Sequence, residues 1–527
     1  MTLTIPMEPA KEGTIKGAYE RHAVNRESYL RRARASAKLT IPALMPELGH
    51  DGNMDFSTPY QGIGARGVNN LASKLLLALF PPNAPFFRMV IDDAAMEKLT
   101  DEDKGVFEDA LGKYEQRLLK EMEARGLRVQ LFETLKHLVC NGNVCLYIPP
   151  KGTAKVYHLD KYIVVRDGVG SPQLIILKES VSPLSLPPEL HAHALAYNKG
   201  DIHKSVDIYT QVKLVSAGRG KRRWDIRQEV CGMEVASTIS TVPEDRCPYL
   251  ALRFTCVDGE DYGRGHVEEY IGDLKSDEGL SQAIVEGSAG AAKMLWLMKS
   301  SALSSPRLVA KSPNGAIIPG NPDDLTCVQA QKHYDLQTAQ VVIERIEQRL
   351  SYAFLLNSSI QRNGERVTAE EIRHMAAELE DALGGVYSIL SQELQLPLVK
   401  RLIFQMEKAK QLPALPASAV KPTIVTGLEA LGRGHDLTRM NVFHQQMQPL
   451  GPEVFAKYVK IGGWMQRAAT AIGLDLKGII KTEDEVAAEE QAMQQQAAMM
   501  ELAAPALNLA NTNIKEQGAA EEAAPAA

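Results

Sequence analysis

Residues 361–402 of the chain read QRNGERVTAEEIRHMAAELEDALGGVYSILSQELQLPLVKRL. The stretch begins as a polar loop with an NG turn signal. Thr368 and Glu371 then form a capping box, which opens a helical pattern of roughly 40 residues, about 60 Å in length. Gly384 and Pro397 weaken that pattern. The stretch therefore predicts a polar loop that leads into a helix long enough to span a large assembly.

Two arginines lie in the loop at the start of this stretch. Arg362 and Arg366 flank the NG turn, just ahead of the capped helix N-terminus. Guanidinium groups bind phosphate oxygens, and the N-terminus of a helix favours negative charge. The arrangement suits contact with a passing phosphate. The alternative is an ordinary loop between helices, in which these arginines pair with Glu365 or Glu370.

The residues before the loop predict a stalk with a tip. Residues 266–300 follow one helical pattern, which includes a patch of small residues, EGSAGAAK. Residues 336–353 repeat apolar side chains in 3-4 alternation, which favours packing against a neighbouring helix. Between these two helices, residues 301–330 hold four prolines and several NG, PG and NP turn signals. The pattern indicates a helix, a small turn-rich knob and a second helix.

The N-terminal half predicts helices followed by a strand-rich region. Helical patterns cover residues 14–38, begin again near Ala65, and fill residues 101–140 with a break near Gly126. The short stretch FFRMVIDD is typical of a strand. Residues 144–257 contain β-rich arms around a DG turn and around the loop SAGRGKRR, which is the pattern of hairpins. The sequence therefore predicts an α+β chain that is mainly helical.

Length and charge limit the functions open to the chain. It has 527 residues, with 59 Lys and Arg against 65 Asp and Glu, and this length predicts about three or four domains or subdomains. Residues 483–527 hold nine acids and one lysine, which gives this segment a net charge of −8. The whole chain has a net charge of −6, so the rest of the chain carries +2. A near-neutral body argues against a tight nucleic-acid clamp, which needs a large basic excess. Transient or guided contact with nucleic acid stays open.

Cysteines, histidines and apolar runs do not indicate a metal site, a disulfide framework or a membrane span. The six cysteines include no CxxC pair. His191 and His193 form a close pair without an acid cluster or a cysteine beside them, so no metal role is expected. The longest strongly apolar run, residues 75–80, is far shorter than the roughly 18 residues that cross a bilayer. With no signal pattern at the start, the chain is expected in the cytoplasm with reduced thiols.

The strongest competing signal is GIGARG at residues 62–67, a formal G-x-G-x-x-G at the start of a helix. A dinucleotide site needs an apolar strand immediately before such glycines. The preceding residues, DGNMDFSTPYQ, show no strand pattern, so a structural turn is the preferred interpretation. The chain contains no P-loop, H-E-x-x-H or G-x-S-x-G motif. A basic group at a predicted hairpin tip is interpreted as a solvated loop; its members are Arg219, Lys221, Arg222 and Arg223.

Three blocks of the sequence carry a family resemblance. They are YQGIGARGVNNLASKLLLALFPP at residues 60–82, DGEDYGRGHVEEYIGDLKS at residues 258–276, and residues 361–402. With these blocks in this order, the chain resembles the portal, or head-to-tail connector, proteins of short-tailed double-stranded DNA phages. The likeness runs over most of residues 15–480. It is weakest at about 180–230, in the knob and in the C-terminal tail.

The resemblance implies a portal fold of wing, stem, clip and crown, assembled as a ring. Its regions would be the N-terminal wing, 1–262, with a β-rich subdomain at about 144–257; the first stem helix, 263–300; the clip, 301–334; the second stem helix, 335–356; the tunnel loop, 357–367; the long wing helix and a strand, 368–435; the crown helices, 436–482; and an Ala/Gln/Glu-rich tail, 483–527, that is expected to be disordered.

The resemblance also implies a structural and conduit function, without catalysis by this chain and without a cofactor or metal. Such a protein forms a ring of twelve copies at one capsid vertex, nucleates procapsid assembly and passes DNA during packaging and ejection. The implied partners are further copies of the chain, double-stranded DNA without sequence specificity, the terminase large subunit, scaffolding and major capsid proteins, tail adaptor proteins and internal core proteins. Its location would be the portal vertex of the virion, after assembly in the host cytoplasm.

Candidate site residues follow from the same resemblance. The tunnel loop contributes Gln361, Arg362, Asn363 and Arg366, which are expected to form a collar that touches DNA phosphates and restrains backflow. In the clip, Arg307 and Lys311 are assigned to partner contact by position alone. Two rival functions stay open at this point: a nucleotide-dependent oxidoreductase built on GIGARG, and a non-viral helical scaffold that uses the apolar seam at 336–353.

Overall fold

A computed structural model of the chain describes residues 13–50, 52–82, 85–91, 101–216, 220–291, 295–300, 305–313, 315–319, 321, 323, 325–328, 333–356, 379, 383–413, 420–424 and 445. The chain divides into two units, Met1–Ala430 and Leu431–Ala527. The elements below belong to the first unit. The predicted tunnel loop and C-terminal tail lie outside the described residues, as does the predicted crown apart from residue 445.

The structure is a mixture of helix and strand, and about half of it is helical. The described helices are α1 (Ile15–Lys38), α2 (Ile63–Leu79), α3 (Asp101–Ala124), α4 (Leu127–Asn141), α5 (Pro188–Tyr197), α6 (His266–Glu269), α7 (Ile271–Ala291), α8 (Pro306–Lys311), α9 (His333–Ala353), α10 (Gly385–Leu390) and α11 (Leu396–Lys408).

The strands pair antiparallel throughout. They are β1 (Phe87–Ile91), β2 (Asn143–Tyr147), β3 (Lys155–Tyr157), β4 (Tyr162–Arg166), β5 (Pro172–Val181), β6 (Val206–Ser216), β7 (Arg222–Val230), β8 (Met233–Glu234), β9 (Ser240–Pro243), β10 (Tyr249–Arg253), β11 (Leu295–Met298), β12 (Leu325–Val328) and β13 (Val420–Ile424).

The largest sheet is a meander of six strands. Its order is β4-β5-β6-β7-β8, and β9 pairs with β7 as well. A second sheet has the order β10-β2-β3, while β1 pairs with β13 and β11 pairs with β12. The pair β1-β13 joins two segments that lie more than 300 residues apart in sequence.

One main core holds the helices and the three-stranded sheet together. Leu71 of α2, Leu135 of α4, Val144 of β2, Leu350 of α9 and Leu402 of α11 are all fully buried in it. Because these residues come from across the sequence, the first unit gains its stability from contacts between distant segments. A smaller cluster packs α5 against strands β6 and β7.

Most elements predicted for the N-terminal half are confirmed. The Thr14 hydroxyl caps α1 by accepting a hydrogen bond from the Gly17 N–H at 3.1 Å. Gly126 separates α3 from α4, and the predicted hairpins are β4-β5 and β6-β7. Strands β2 to β10 span the predicted β-rich region. Helix α5 lies within that region and was not predicted.

The prediction of one helix over residues 266–300 holds at its start but is wrong about its continuity and its end. The helical part is divided into α6 and α7, and α7 ends at Ala291. Leu295–Met298 is a strand that pairs with Leu325–Val328, with Trp296 opposite Cys327. The run LWLM is four apolar residues, which is too short for its periodicity to distinguish a strand from a helix. Its pairing with β12 decides the conformation.

Helices α7 and α9 form an antiparallel pair. The Arg349 guanidinium donates to Asp273 Oδ1 at 2.8 Å near one end of the pair. Towards the other end, a Cβ added at Gly287 would lie 3.2 Å from the Leu336 side chain, so this small residue allows close packing. The buried residues Ile346 and Leu350 belong to the apolar seam predicted on α9. The seam therefore faces α7 of the same chain.

The helical pattern after the loop continues to Lys408 in the described residues, with one irregular turn. Ser391–Gln395 is a π-helical turn between α10 and α11. Pro397 follows it directly, in the first turn of α11. Because proline has no N–H and crowds the carbonyl one turn earlier, a widened turn before it relieves the conflict. The weakness expected at Pro397 is therefore accommodated without ending the helix.

Among the helices that the structure describes, none has both the length and the apolar character that a membrane span requires.

Candidate functional site: the loop anchors and the helical tip

The predicted tunnel loop lies outside the described residues, and with it Gln361, Arg362, Asn363 and Arg366. The segment that leads into it is described and is held by α2. Asn70 Nδ2 donates to the main-chain oxygens of Phe354 at 2.9 Å and Leu355 at 3.0 Å. Lys74 Nζ also donates to the Leu355 oxygen, at 2.9 Å. The end of α9 is thus fixed to α2 directly before the loop.

An aromatic cluster strengthens this anchor. Phe354 is fully buried, and its ring lies edge-on to His266, with 5.5 Å between the ring centres. His266 Nε2 lies 2.9 Å from the main-chain oxygen of Ala353. Burial lowers the pKa of His266, although this hydrogen bond and Glu269 oppose the shift. A neutral imidazole that donates to Ala353 fits this position.

The helix that returns from the loop is held by α2 as well. The Tyr387 hydroxyl donates to the main-chain oxygen of Ala78 at 3.1 Å, and Gln395 Nε2 donates to that of Leu79. Both oxygens belong to the last turn of α2, where main-chain acceptors lack partners within the helix. Helix α2 therefore fixes the chain on both sides of the segment that carries Arg362 and Arg366.

The glycines of GIGARG serve this packing. A Cβ at Gly64 would collide with the main-chain oxygen of Leu39, and one at Gly67 would lie 2.6 Å from the Phe354 ring. The residues before Gly62 that the structure describes form no strand. The main-chain N–H groups of Tyr60 and Gln61 donate to the Glu278 carboxylate at 3.0 and 3.2 Å. The motif is the start of a packed helix, as the sequence indicated.

The block at residues 258–276 forms a second junction. The Asn143 side chain accepts from the Gly263 N–H at 2.7 Å and donates to the Gly263 oxygen at 2.8 Å. The Arg264 guanidinium donates to Glu260 and Glu268, at 2.6 and 2.7 Å in its shortest contacts. These bonds tie the start of β2 to the segment that leads into α6. Two of the three recognised blocks are therefore junctions that hold the helix pair α7-α9 to the rest of the unit.

The tip of the helix pair carries the two basic residues expected in the clip. Arg307 and Lys311 are both exposed on α8 and lie four residues apart, so they share one face of this short helix. Leu308 beside them and Ile317 in the following turn are exposed as well. The structure therefore brings together a small surface with basic and apolar character.

The other candidate positions have ordinary structural roles. His191 Nε2 lies 2.7 Å from the Leu186 oxygen, and His193 Nε2 lies 3.4 Å from the Cys231 oxygen. No cluster of metal-ligating side chains occurs in the described part of the chain. Burial raises the pKa of the Cys140 and Cys247 thiols to about 12, so neither is a reactive thiolate.

The basic hairpin tip is partly described. Arg222 forms an ion pair with Glu244, and Arg223 pairs with Asp225 at 3.1 Å. Both pairs lie at the surface, where such interactions contribute little to stability. These two arginines are thus paired with nearby acids, while Arg219 lies outside the described residues.

Comparison with known proteins connects this geometry to a family. Residues 12–480 match the family described as bacteriophage head to tail connecting protein. The chain belongs to this family. The portal function that the three blocks predict is confirmed by this relationship, which leaves no support for the oxidoreductase or the non-viral scaffold.

Relatives from this connector family match over nearly the whole chain. The portal protein of Escherichia phage T7 is 40% identical, covering 98% of this chain and 96% of that protein. The portal protein of Enterobacteria phage T3 is also 40% identical, covering 94% and 91%. That of Enterobacteria phage SP6 is 32% identical, covering 92% and 94%. All three are portal proteins of short-tailed phages.

Solved structures show a more distant likeness. A chain from the neck of an empty gene transfer agent particle has a TM-score of 0.35 and 13% identity, covering 72% of this chain and 86% of that one. A chain from the neck of the native particle has a TM-score of 0.33 and the same identity, covering 72% and 85%. Similarity at this level adds nothing to the family assignment.

Proposed function

We propose that the chain is the subunit of a ring of twelve copies that surrounds a DNA channel at one capsid vertex. Family membership over residues 12–480 is the observation that supports this most strongly. The ring would nucleate procapsid assembly, admit DNA during packaging, connect head to tail and release DNA at ejection. It performs no catalysis; the ATP-driven work belongs to the terminase that docks on it.

Exposed apolar side chains on the helix pair support assembly with further copies. Val285 of α7 and Val341, Val342 and Tyr352 of α9 are exposed in the single chain, although both helices pack together along another face. Apolar groups on a long helical surface are commonly buried by a neighbouring subunit. In the proposed ring, the α7-α9 pairs of adjacent copies stand side by side as the stem and cover these residues.

Contact between the loop and DNA is proposed to be weak and repeated. The body of the chain carries only +2, so DNA that must move in both directions is not held by a strong positive field. Arg362 and Arg366 then supply phosphate contacts without sequence specificity. Their segment is anchored on both sides by α2, which suits a loop that adjusts while its ends stay fixed.

The remaining partners fit the exposed tip. We assign Arg307 and Lys311 to contact with the terminase large subunit or with tail adaptor proteins, because α8 presents them beside the exposed Leu308. The scaffolding, major capsid and internal core proteins would contact other parts of the ring. The site of action is the portal vertex of the virion, with assembly in the host cytoplasm.

Electron microscopy of the purified protein, with a mass measurement on the same sample, tests the proposed assembly. Rings with a central hole and a mass near twelve subunits are expected. Val341→Asp with Val342→Asp should reduce ring formation, because each change places a carboxylate in the proposed contact between copies. The exposed Gln340→Asp is a matched charge control on the same helix. A monomer or dimer under all salt conditions would contradict the ring.

The double variant Arg362→Ala with Arg366→Ala is expected to leave rings intact and to lower the yield of heads with full-length DNA severalfold. The reason is the loss of two phosphate contacts in every copy. The measurement is the length of DNA recovered from purified heads, together with infectivity. Arg222→Ala with Arg223→Ala removes the same charge from the hairpin tip and should package normally. Full heads and normal infectivity in the loop variant would refute the DNA contact.

A further inference from the structure

An unpaired acid lies buried between the two helices of the stalk. Asp277 of α7 is completely buried, and neither of its carboxyl oxygens has a hydrogen-bond partner. It lies in the seam one turn beyond the buried Leu274, on the side of α7 that faces Ile346 and Leu350 of α9. A buried carboxylate without partners costs several kcal/mol, so such groups are usually neutral or paired.

The charged groups around Asp277 further disfavour the ionised form of its carboxyl group. Glu347 on α9 and Glu278 on α7 are the acids that act on it electrostatically. The two Glu278 oxygens accept hydrogen bonds from the N–H groups of Tyr60 and Gln61. Arg349 of α9 is paired with Asp273, one turn before Asp277 on α7. Among the described residues, no cation pairs with Asp277 itself.

We propose that Asp277 is a protonated carboxylic acid in the folded chain and that it acts as a proton-controlled latch between α7 and α9. A protonated carboxyl group carries no charge, so its burial without an ionic partner costs far less than that of a carboxylate. The acids Glu347 and Glu278 further disfavour a negative charge on Asp277.

The direction of the pH dependence follows from burial. Burial raises the pKa of Asp277 to about 6, and Glu347 and then Glu278 add to the rise, while the Ser281 hydroxyl opposes it. In the unfolded chain the pKa of an aspartate is about 4. The stabilisation from the latch is therefore complete below pH about 4 and is lost as pH rises through about 6. Loss of the proton loosens the helix pair beside the contact of Glu278 with residues 60–61.

Melting curves of the full-length protein between pH 4 and pH 8 test the latch. Asp277→Asn keeps a neutral side chain of the same shape and cannot lose a proton, so its Tm should rise relative to wild type as pH increases. Glu347→Gln should move the midpoint of the wild-type transition to lower pH. Glu286→Gln, which removes an exposed carboxylate from the same helix, should follow the wild type. Parallel curves for Asp277→Asn and wild type would overturn the proposal.

Infrared spectroscopy gives a readout that does not depend on the folding of one variant. The carbonyl stretch of a buried protonated carboxylic acid is expected in the wild type at pH 5 and should disappear above pH 7. Asp277→Asn should lack this band. If that variant does not fold, the comparison of wild type with Glu347→Gln decides, because the band should titrate at lower pH in the variant. Absence of the band in the wild type at pH 5 refutes the protonated Asp277.

Discussion

Gly142→Ala is expected to destabilise the first unit by roughly 3 to 5 kcal/mol, as the sum of a backbone penalty and a collision. Gly142 ends α4 with a φ of +74°, a conformation that costs alanine energy. An added Cβ would also collide with the main chain at Arg264–Gly265, and would lie 2.6 Å from the Arg264 oxygen. These contacts are with main-chain atoms, so no side-chain rotation relieves them.

Gly126→Ala is the matched control for this prediction. Gly126 lies at the other end of the same helix with a φ of +63°, but no atom lies within 4 Å of the position that its Cβ would take. It carries the backbone penalty without the collision, so its cost should be only about 1 to 2 kcal/mol. Melting temperatures of the two full-length variants provide the comparison. Equal losses of Tm would show that the collision at Gly142 is relieved by backbone movement.

The same glycine shows how far the sequence determines the fold. The NG dipeptide at residues 141–142 would be expected to end a helix whatever its surroundings, since a positive φ is a local property. The crossing of Gly142 by the segment 263–265 has no local signal. Capping at Thr14, the break at Gly126 and the hairpin arms are predictable because each depends on residues close together in sequence. The strand Leu295–Met298 is not, because its conformation depends on β12, which lies some 30 residues away.

The same distinction between local signals and distant contacts applies to the candidate site. Arg362 and Arg366 are predicted as DNA contacts from residue type, turn signal and the capping box, all within a few residues of each other, together with the family resemblance. The groups that anchor their segment were missed. Asn70 lies 284 residues from the Phe354 oxygen that it binds, and Tyr387 lies 309 residues from that of Ala78. No sequence pattern around an asparagine or a tyrosine on a helix identifies a hydrogen-bond partner so far away, although Asn70 does lie within a recognised block.

Arg26→Met is expected to be as damaging as the glycine change, with a loss of roughly 3 to 5 kcal/mol, because it leaves several buried acceptors without a donor. The Arg26 guanidinium is almost fully buried and donates to the main-chain oxygens of Leu159, Asp160 and Tyr162 at 3.1, 3.0 and 2.6 Å. It also donates to the Tyr19 hydroxyl at 3.0 Å.

These bonds attach α1 to the six-stranded sheet at the start of β4. Their loss should therefore increase local opening of α1 away from the sheet. Amide hydrogen exchange should report faster opening of residues 15–38 and 162–166, while α9 and α11 stay protected. Arg31→Met removes an exposed arginine from the same helix and should leave exchange unchanged. Unaltered protection in Arg26→Met would mean that water replaces the guanidinium at all three oxygens, and that the other contacts of α1, such as the Tyr19 hydroxyl with the Asp160 oxygen, are sufficient to hold it.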